Sequence, residues 1–275
     1  MLRLPRSVRL AAWGSAFLAD AAPLADVVRV VTDDDEPHRV DLGDAADGPR
    51  FVGLGEQLGR MRDLGVPCLR VVLPVPGDVL GLPGPPDFNR IALGAGECVL
   101  FEPAATDGPA RTPRPIPGNG PGTALVPDVV EFGSVWEPGA MVTWTSHVVS
   151  PRRVTVVGSL AEAERELREA LITATETLHH LDVARWREDT AGRISAVRDG
   201  GLPRGALPDA APPRCVRVLG TAARVRAIVE LAAQDDGAAV NTFETERRAR
   251  TLRELDTVCR RAMTAAVEGL RHPQR

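Results

Sequence analysis

The chain has 275 residues, of which 44% are hydrophobic and 25% charged, the composition of a globular protein with a sizeable core. All 33 basic residues are arginine, because the sequence contains no lysine, and it also contains no tyrosine. Schiff-base, pyridoxal, Walker-type and protein-kinase chemistry each need a lysine, so they are excluded. With 26 Gly and 24 Pro, the composition indicates a GC-rich, actinobacterial genome.

Charge is unevenly distributed along the chain. Residues 1–150 carry a net charge of −7 and residues 151–275 a net charge of +3, which favours two parts that attract each other. The second part is too weakly basic for a nucleic-acid-binding domain. No apolar run reaches the roughly 18–20 residues that span a bilayer. We therefore expect neither nucleic acid nor a membrane as a partner.

The first part mixes predicted helices and strands. Leu10, Trp13 and Phe17 share one face of an amphipathic helix, which we favour over a signal peptide. The further elements predicted before residue 103 are short helices over 24–31, 54–64 and 87–94 and strands at 38–42, 67–75 and 97–102. Asp87 is the predicted N-cap of the helix at 87–94.

Two segments resemble ligand motifs without their full pattern. TDDDEP at 32–37, followed by His38, lacks the glycine and the distal glutamate of a calcium loop, so we interpret it as a solvated turn. GLGEQLG at 53–59 spaces its glycines differently from a dinucleotide fingerprint, and its leucines predict an ordinary helix start. The sequence therefore predicts no metal site and no cofactor.

Two segments are rich in proline and glycine. LPVPGDVLGLPGPPDF at 73–88 holds five prolines and three glycines together with the apolar residues Val79, Leu80, Leu82 and Phe88. We expect residues 74–86 to form an ordered loop that packs on the domain through these apolar side chains. Residues 103–123 have six prolines and four glycines without comparable anchors, which predicts a mobile loop.

The hydrophobic period changes along the second half of the chain. ALVPDVVEF, MVTWTSHVVS and RRVTVVG are strand candidates, and the alternation of the second is typical of half-exposed antiparallel sheet. From Ser159, which with Glu162 matches a capping box, apolar residues recur at helical spacing, interrupted by a polar and proline-rich stretch at 187–213. We predict an α+β fold: a mixed domain at 1–157 with a largely antiparallel sheet, and an α-helical bundle at 158–275.

Histidine and cysteine provide few reactive arrangements. His179 and His180 are adjacent on a predicted helix and cannot face a common ion, and Ser146 and His147 are strand neighbours that point to opposite faces. The four cysteines are isolated, which is typical of reduced thiols in the cytoplasm.

These patterns favour a non-catalytic cytoplasmic binding or scaffold protein. The alternative is an enzyme or small-molecule-binding protein with a cleft formed by residues 74–90 between the two halves. The polar residues presented there are Asp78, Asp87, Asn89 and Arg90, and arginine suits a carboxylate or phosphate ligand. Two further interpretations stay open: the loop is a rigid cover of the sheet edge, or the protein is a regulator whose helical bundle binds a protein partner or self-associates.

Overall fold

The computed structural model describes residues 2–45, 48–101, 122–134, 137–150, 158–180, 188–234 and 242–271. Within these ranges eight α-helices and six β-strands form, which confirms the α+β class. The chain divides into two compact units. The sheet unit comprises Pro5–Thr155 with Leu207–Ala210, and the helical unit comprises Met1–Leu4, Val156–Ala206 and Ala211–Arg275. That residues 158–275 fold as a separate domain stays a prediction.

The sheet unit contains one six-stranded sheet and four helices. Its elements in chain order are α1 (Arg6–Leu18), α2 (Leu24–Thr32), β1 (Arg39–Ala45), β2 (Gly48–Gly53), α3 (Leu54–Asp63), β3 (Arg70–Val72), α4 (Pro86–Ala95), β4 (Cys98–Phe101), β5 (Thr123–Gly133) and β6 (Pro138–Val148). The strand order is β2-β1-β6-β5-β4-β3. Only β1 and β6 pair in parallel among these strands, so the sheet is largely antiparallel, as the sequence predicts.

One face of the sheet is covered by α1 and α3. Helix α1 contacts β3 and β4, and α3 contacts β1 and β2. Leu10, Trp13 and Phe17 of α1 are buried, as predicted, but nine of its 13 residues are buried and none is exposed, so the prediction of an amphipathic helix with a solvent face is wrong. Gly14 allows α1 to approach Leu69 closely, since a β-carbon added to Gly14 would lie 2.5 Å from Leu69 Cδ1. The sheet contributes fully buried side chains, with Trp144 the largest.

The start of α1 is capped from another element. Its N-cap is Pro5, which has no side-chain hydrogen-bonding group. Glu97, just before β4, replaces the missing cap, because its Oε2 accepts hydrogen bonds from the Ser7 N–H at 2.8 Å and from the Ser7 hydroxyl at 2.7 Å. A carboxylate beside a helix N-terminus also suits the helix dipole.

The other face of the sheet is covered in part by α4. Phe88 and Ala92 of α4 pack in a buried cluster with residues of β3, β4 and the beginning of β5. Leu82 of the proline-rich loop packs against the same cluster, as predicted. The expectation for Val79 and Leu80 is wrong, since they are 55% and 44% exposed. Of the four side chains predicted as anchors, Leu82 and Phe88 thus pack on the domain, and Val79 and Leu80 do not.

The helical unit consists of α5 (Leu160–His180), α6 (Glu188–Asp199), α7 (Pro213–Gln234) and α8 (Thr242–Arg271). Helix α8 contacts both α5 and α7, and α6 contacts α7. The predicted capping box is confirmed, since the Ser159 N–H donates to Glu162 Oε2 at 2.7 Å and the Glu162 N–H to Ser159 Oγ at 3.2 Å. Arg226 of α7 contacts Asp256 of α8 at 3.3 Å.

Three sequence predictions fall outside the described residues. They concern residues 103–121 of the predicted mobile loop, residues 152–157 of the strand candidate RRVTVVG, and the side chains of His179 and His180.

Candidate functional site

The four residues predicted as a ligand site fall into separate local arrangements. Val75 and Asp78 exchange backbone hydrogen bonds at 3.0 and 2.8 Å, and Asp78 Oδ1 accepts the Leu80 N–H at 3.3 Å. Asn89 Oδ1 accepts the Gly84 N–H at 2.9 Å, which ties the loop to α4. Both side chains therefore stabilise the loop.

Asp87 and Arg90 form an ion pair with each other. The distance from Arg90 Nη2 to Asp87 Oδ1 is 3.0 Å, and the two side chains are 77% and 83% exposed. The predicted N-cap role of Asp87 is wrong, because α4 begins earlier, at Pro86, with Pro85 as the N-cap. Proline is favoured at the first helical position, where no N–H is needed. Ligand binding by Asp78, Asp87, Asn89 and Arg90 stays a prediction.

The acidic turn before β1 contains a buried polar chain. Asp35 accepts two hydrogen bonds from Arg6, at 2.7 and 2.8 Å. His38 Nε2 lies 3.2 Å from Asp35 Oδ2, and the Trp144 indole N–H donates to His38 Nδ1 at 3.2 Å. The side chains of Asp35 and His38 are 6% and 0% exposed, so the interpretation of this turn as fully solvated is wrong.

The hydrogen bonds of this chain determine the protonation of His38. Because Trp144 can only donate, His38 Nδ1 must be the acceptor, and the proton of the neutral ring is on Nε2, which donates to Asp35. Burial lowers the pKa of His38, against the opposing effect of Asp35. Burial alone would raise the pKa of Asp35, but hydrogen bonds from Arg6 and His38 outweigh it and lower that pKa.

Among the described helices, none but α4 covers the side of the sheet opposite α1 and α3, and α4 covers only part of it. We define the open sheet face by the exposed or half-buried residues that lie beyond α4 on this side: Arg39, Asp41, Phe51, Asp128, Val130, Phe132, Met141, Thr143 and Thr145. Phe51, Val130 and Phe132 are 47%, 49% and 49% exposed. The Arg39 guanidinium lies 4.8 Å from the centre of the Phe51 ring, and Arg39 Nε donates to Thr143 Oγ1 at 2.9 Å.

A groove of about 520 Å³ lies where α4 meets the open sheet face. Its lining residues are Ile91, Gly94 and Ala95 of α4, Val126, Pro127, Asp128 and Val129 of β5, and Thr145 and His147 of β6. This volume is within the range of ligand pockets. The lining combines apolar side chains with one carboxylate, one hydroxyl and one imidazole.

His147 is the unusual polar group of this groove. Its ring packs on Phe88, with ring centres 5.7 Å apart. Nε2 is buried and has no hydrogen-bond partner among the described residues. Burial lowers the pKa of His147, so the ring is neutral near pH 7. A buried ring nitrogen without a partner is costly, which makes it a point where a bound group would gain a hydrogen bond.

The sequence predicted the alternation of β6 correctly but not this groove. Val142 and Trp144 are buried on the covered face, and Thr143, Thr145 and His147 lie on the other. The alternation alone therefore indicated which side chains reach the open face. The length of α4 relative to the sheet, which leaves that face open, has no local sequence signal.

Cys215 and Cys259 are buried thiols. Burial raises the pKa of the Cys259 thiol to about 12 and also raises the pKa of Cys215. Both cysteines are buried in the helical unit, and the four cysteines are free thiols. No group of three or more metal-ligating side chains occurs within the described ranges.

Comparisons with known proteins give a family. A family model described as Rv1486c-like protein, N-terminal domain, matches residues 7–157, and one described as Rv1486c-like protein, C-terminal domain, matches residues 161–264. No solved structure matches the chain.

Similar proteins come from mycobacteria, which are actinobacteria. Uncharacterized protein Rv1486c of Mycobacterium tuberculosis is 29% identical over 97% of both chains. Uncharacterized protein ML1804 of Mycobacterium leprae is 28% identical over 74% of this chain and 68% of its own. With family models matching most of its length, the chain belongs to the Rv1486c-like protein family.

Proposed function

We propose that the chain is a non-catalytic binding or scaffold protein that holds a protein partner on the open sheet face. The observation that carries this proposal is the exposure of Val130 and Phe132, which are two residues apart on the same face of β5, with Phe51 also exposed further across that face. Large apolar side chains grouped on a surface and edged by polar residues are typical of protein-protein contacts. In the sheet register Asp128, Thr143 and Thr145 lie between this pair and Phe51, so they form the polar border of the apolar pair.

The state of the reactive groups supports a role in binding over one in catalysis. Both ring nitrogens of His38 are engaged, by Trp144 and by Asp35. The thiols of Cys215 and Cys259 have raised pKa values and stay protonated near pH 7, whereas a nucleophilic cysteine needs a lowered pKa. These groups therefore serve packing and stability in this proposal.

A small-molecule ligand is the second candidate. The groove beside His147 has a suitable volume, and the buried Nε2 offers one hydrogen bond. Asp128 in the lining disfavours an anionic ligand at this position. The anionic-ligand site predicted on residues 74–90 is a separate proposal that rests on Arg90.

Across the described helices, none is both long enough and apolar enough to cross a bilayer. We propose a cytoplasmic location, because the four cysteines are free thiols, as reducing compartments favour.

Substitutions on the open sheet face test the proposed function. We expect the full-length chain to capture a specific partner from a mycobacterial lysate, and the double variant Val130→Ser, Phe132→Ser to retain at least tenfold less of it. Each lost apolar contact costs about 1.5 kcal/mol or more, and 1.4 kcal/mol is a tenfold change in affinity. Quantitative mass spectrometry of the captured proteins measures the effect.

The matched control is Ile172→Ser on α5. Ile172 is 55% exposed, so this change removes a comparable apolar side chain from the helical unit. We expect this variant to capture the partner as the wild type does. Equal capture by the double variant and the wild type would contradict the proposal, as would loss of capture with Ile172→Ser alone.

A further inference from the structure

We propose that the free edge of β5 binds an extended, arginine- or lysine-containing segment of the partner as an added β-strand. This inference rests on the proposed function and names the way in which the partner is held. The added strand would continue along β5 from the point where β4 stops pairing. Such strand addition takes its affinity from backbone hydrogen bonds and its specificity from alternate side chains.

The pairing of β5 is unequal on its two edges. All eleven residues of β5 pair with β6, from Thr123 to Gly133. On the opposite edge β4 pairs only with Thr123, Ala124 and Leu125. Among the described strands, none pairs with the remaining eight residues on that edge. An unpaired strand edge is a template for another extended chain.

The hairpin geometry identifies which backbone groups face the free edge. Ser134 and Glu137 exchange two backbone hydrogen bonds across the turn, each of 3.2 Å, and the Gly122 carbonyl accepts the Val149 N–H at 2.9 Å. Even-numbered residues of β5 therefore bond towards β6, since the direction alternates along an antiparallel strand. The N–H and C=O groups of Val129 and Glu131 point to the free edge.

Pro127 agrees with this assignment. Proline has no N–H, and inside sheets it occurs where its nitrogen faces an unpaired edge. Pro127 is odd-numbered and sits opposite Trp144 in the register with β6, so no ladder hydrogen bond is lost there. The first donor available to an added strand is accordingly the N–H of Val129.

There is space beside this edge. The groove of about 520 Å³ follows β5 from Val126 to Val129, and its opposite wall includes Gly94 and Ala95 at the end of α4. A β-carbon added to Gly94 would meet no atom within 4 Å, so this wall is open. Alternate side chains of an added strand would enter the groove, within reach of the apolar lining and of His147.

The charge beside this edge favours a basic occupant. Asp128, Glu131 and Glu137 are exposed on β5 and in the turn that follows it. Arg6 lies close enough to Glu131 to interact with it, but Arg6 is already bound by Asp35. A second copy of this chain is disfavoured, because antiparallel pairing of two β5 edges would bring their carboxylates together, and like charges across strands destabilise a sheet.

Synthetic peptides test this mode of binding on the full-length chain. The probe is an N-acetylated, C-amidated heptapeptide with alternating valine and arginine, and its control replaces each arginine with glutamate. We expect the arginine peptide to bind and the glutamate peptide to bind at least tenfold more weakly, measured by isothermal titration calorimetry at 0.1 M salt. No binding of the arginine peptide, or equal binding of both, would overturn the proposal.

A variant of Val129 tests the backbone pairing itself. Val129→Pro removes the N–H at the free edge and leaves every hydrogen bond to β6 in place, so we expect at least tenfold weaker binding of the arginine peptide. Val129→Thr keeps the N–H and the side-chain shape, and we expect binding within twofold of the wild type. Circular dichroism establishes that both variants fold.

An N-methylated arginine peptide gives the same test without changing the protein. Two such peptides carry N-methyl groups on alternate amides, one on the odd-numbered residues and the other on the even-numbered residues. We expect only one of the two to lose binding, because one set of amides pairs with β5 and the other set faces away from it. Unchanged binding in both would overturn the inference. If the open-face double variant loses the partner while Val129→Pro retains it, the proposed function stands and strand addition is wrong. If both variants retain the partner, the proposed function is wrong as well.

Discussion

Replacing Trp144 with alanine is expected to lower the free energy of unfolding of the sheet unit by about 3–5 kcal/mol, the range for large aromatic truncations in cores. Trp144 is fully buried opposite Pro127 and Val40, at the centre of the sheet. Its loss leaves a cavity and also leaves His38 Nδ1 without its donor. Urea denaturation followed by circular dichroism measures the change.

Trp144→Phe separates the contribution of the buried side-chain volume from that of the hydrogen bond to His38 Nδ1. Phenylalanine fills most of the volume but has no N–H, so the remaining cost is chiefly an unsatisfied His38 nitrogen, about 1–3 kcal/mol. We expect this variant to lie between the wild type and Trp144→Ala. If both variants were as stable as the wild type, the chain from Trp144 to Asp35 would not stabilise the unit.

Acid is expected to destabilise the protein from about pH 6.5 downward. The pKa of His38 is lowered in the folded state, so below its ordinary value of about 6.5 the unfolded chain takes up a proton that the folded chain does not. The stabilisation from a neutral His38 is thus complete above pH 6.5 and is lost as the pH falls. Asp35, whose pKa is also lowered, adds a further loss below about pH 4.

His38→Gln is the control for the acid effect. Glutamine offers one donor for Asp35 and one acceptor for Trp144, and it does not titrate. Between pH 7 and pH 5 we expect its melting temperature to fall less than that of the wild type. His147, whose pKa is lowered too, contributes with the same sign, so His147→Gln should remove part of the remaining dependence. Identical pH profiles for His38→Gln and the wild type would contradict this account.

The strands and helices could be predicted where the local pattern was strong. The strands at 38–42 and 97–102 and the capping box at Ser159 depend on neighbours in sequence, and the structure contains all three. The prediction of Asp87 as the N-cap put the start of α4 too late, because the two prolines before it, Pro85 and Pro86, can also begin a helix. Local patterns therefore predict that an element exists better than they predict its first residue.

The buried polar chain could not be predicted from local pattern. A run of four acidic residues at 33–36 is typical of solvated surface, and Asp35 is buried only because Arg6, 29 residues earlier, binds it with two hydrogen bonds. The hydrogen-bonding partner of His38, Trp144, lies 106 residues later. Contacts over such separations depend on the register of the whole sheet.

The candidate binding surface depends on relative lengths. The sequence predicts β4 and β5 as strands, but the free edge exists because β4 has four residues and β5 has eleven. The unpaired edge and the open sheet face are both consequences of short elements beside longer ones. No residue pattern within β5 indicates how far its neighbour extends.

Photo-crosslinking in mycobacterial cells tests the central claim most directly. A photoreactive phenylalanine analogue would replace Phe132 or Phe51 on the open sheet face, or Ile172 on α5. We expect irradiation to join the same partner protein to positions 132 and 51 and not to position 172. Crosslinks from position 172 alone, or none from positions 132 and 51, would contradict the assignment of the open sheet face as the binding surface.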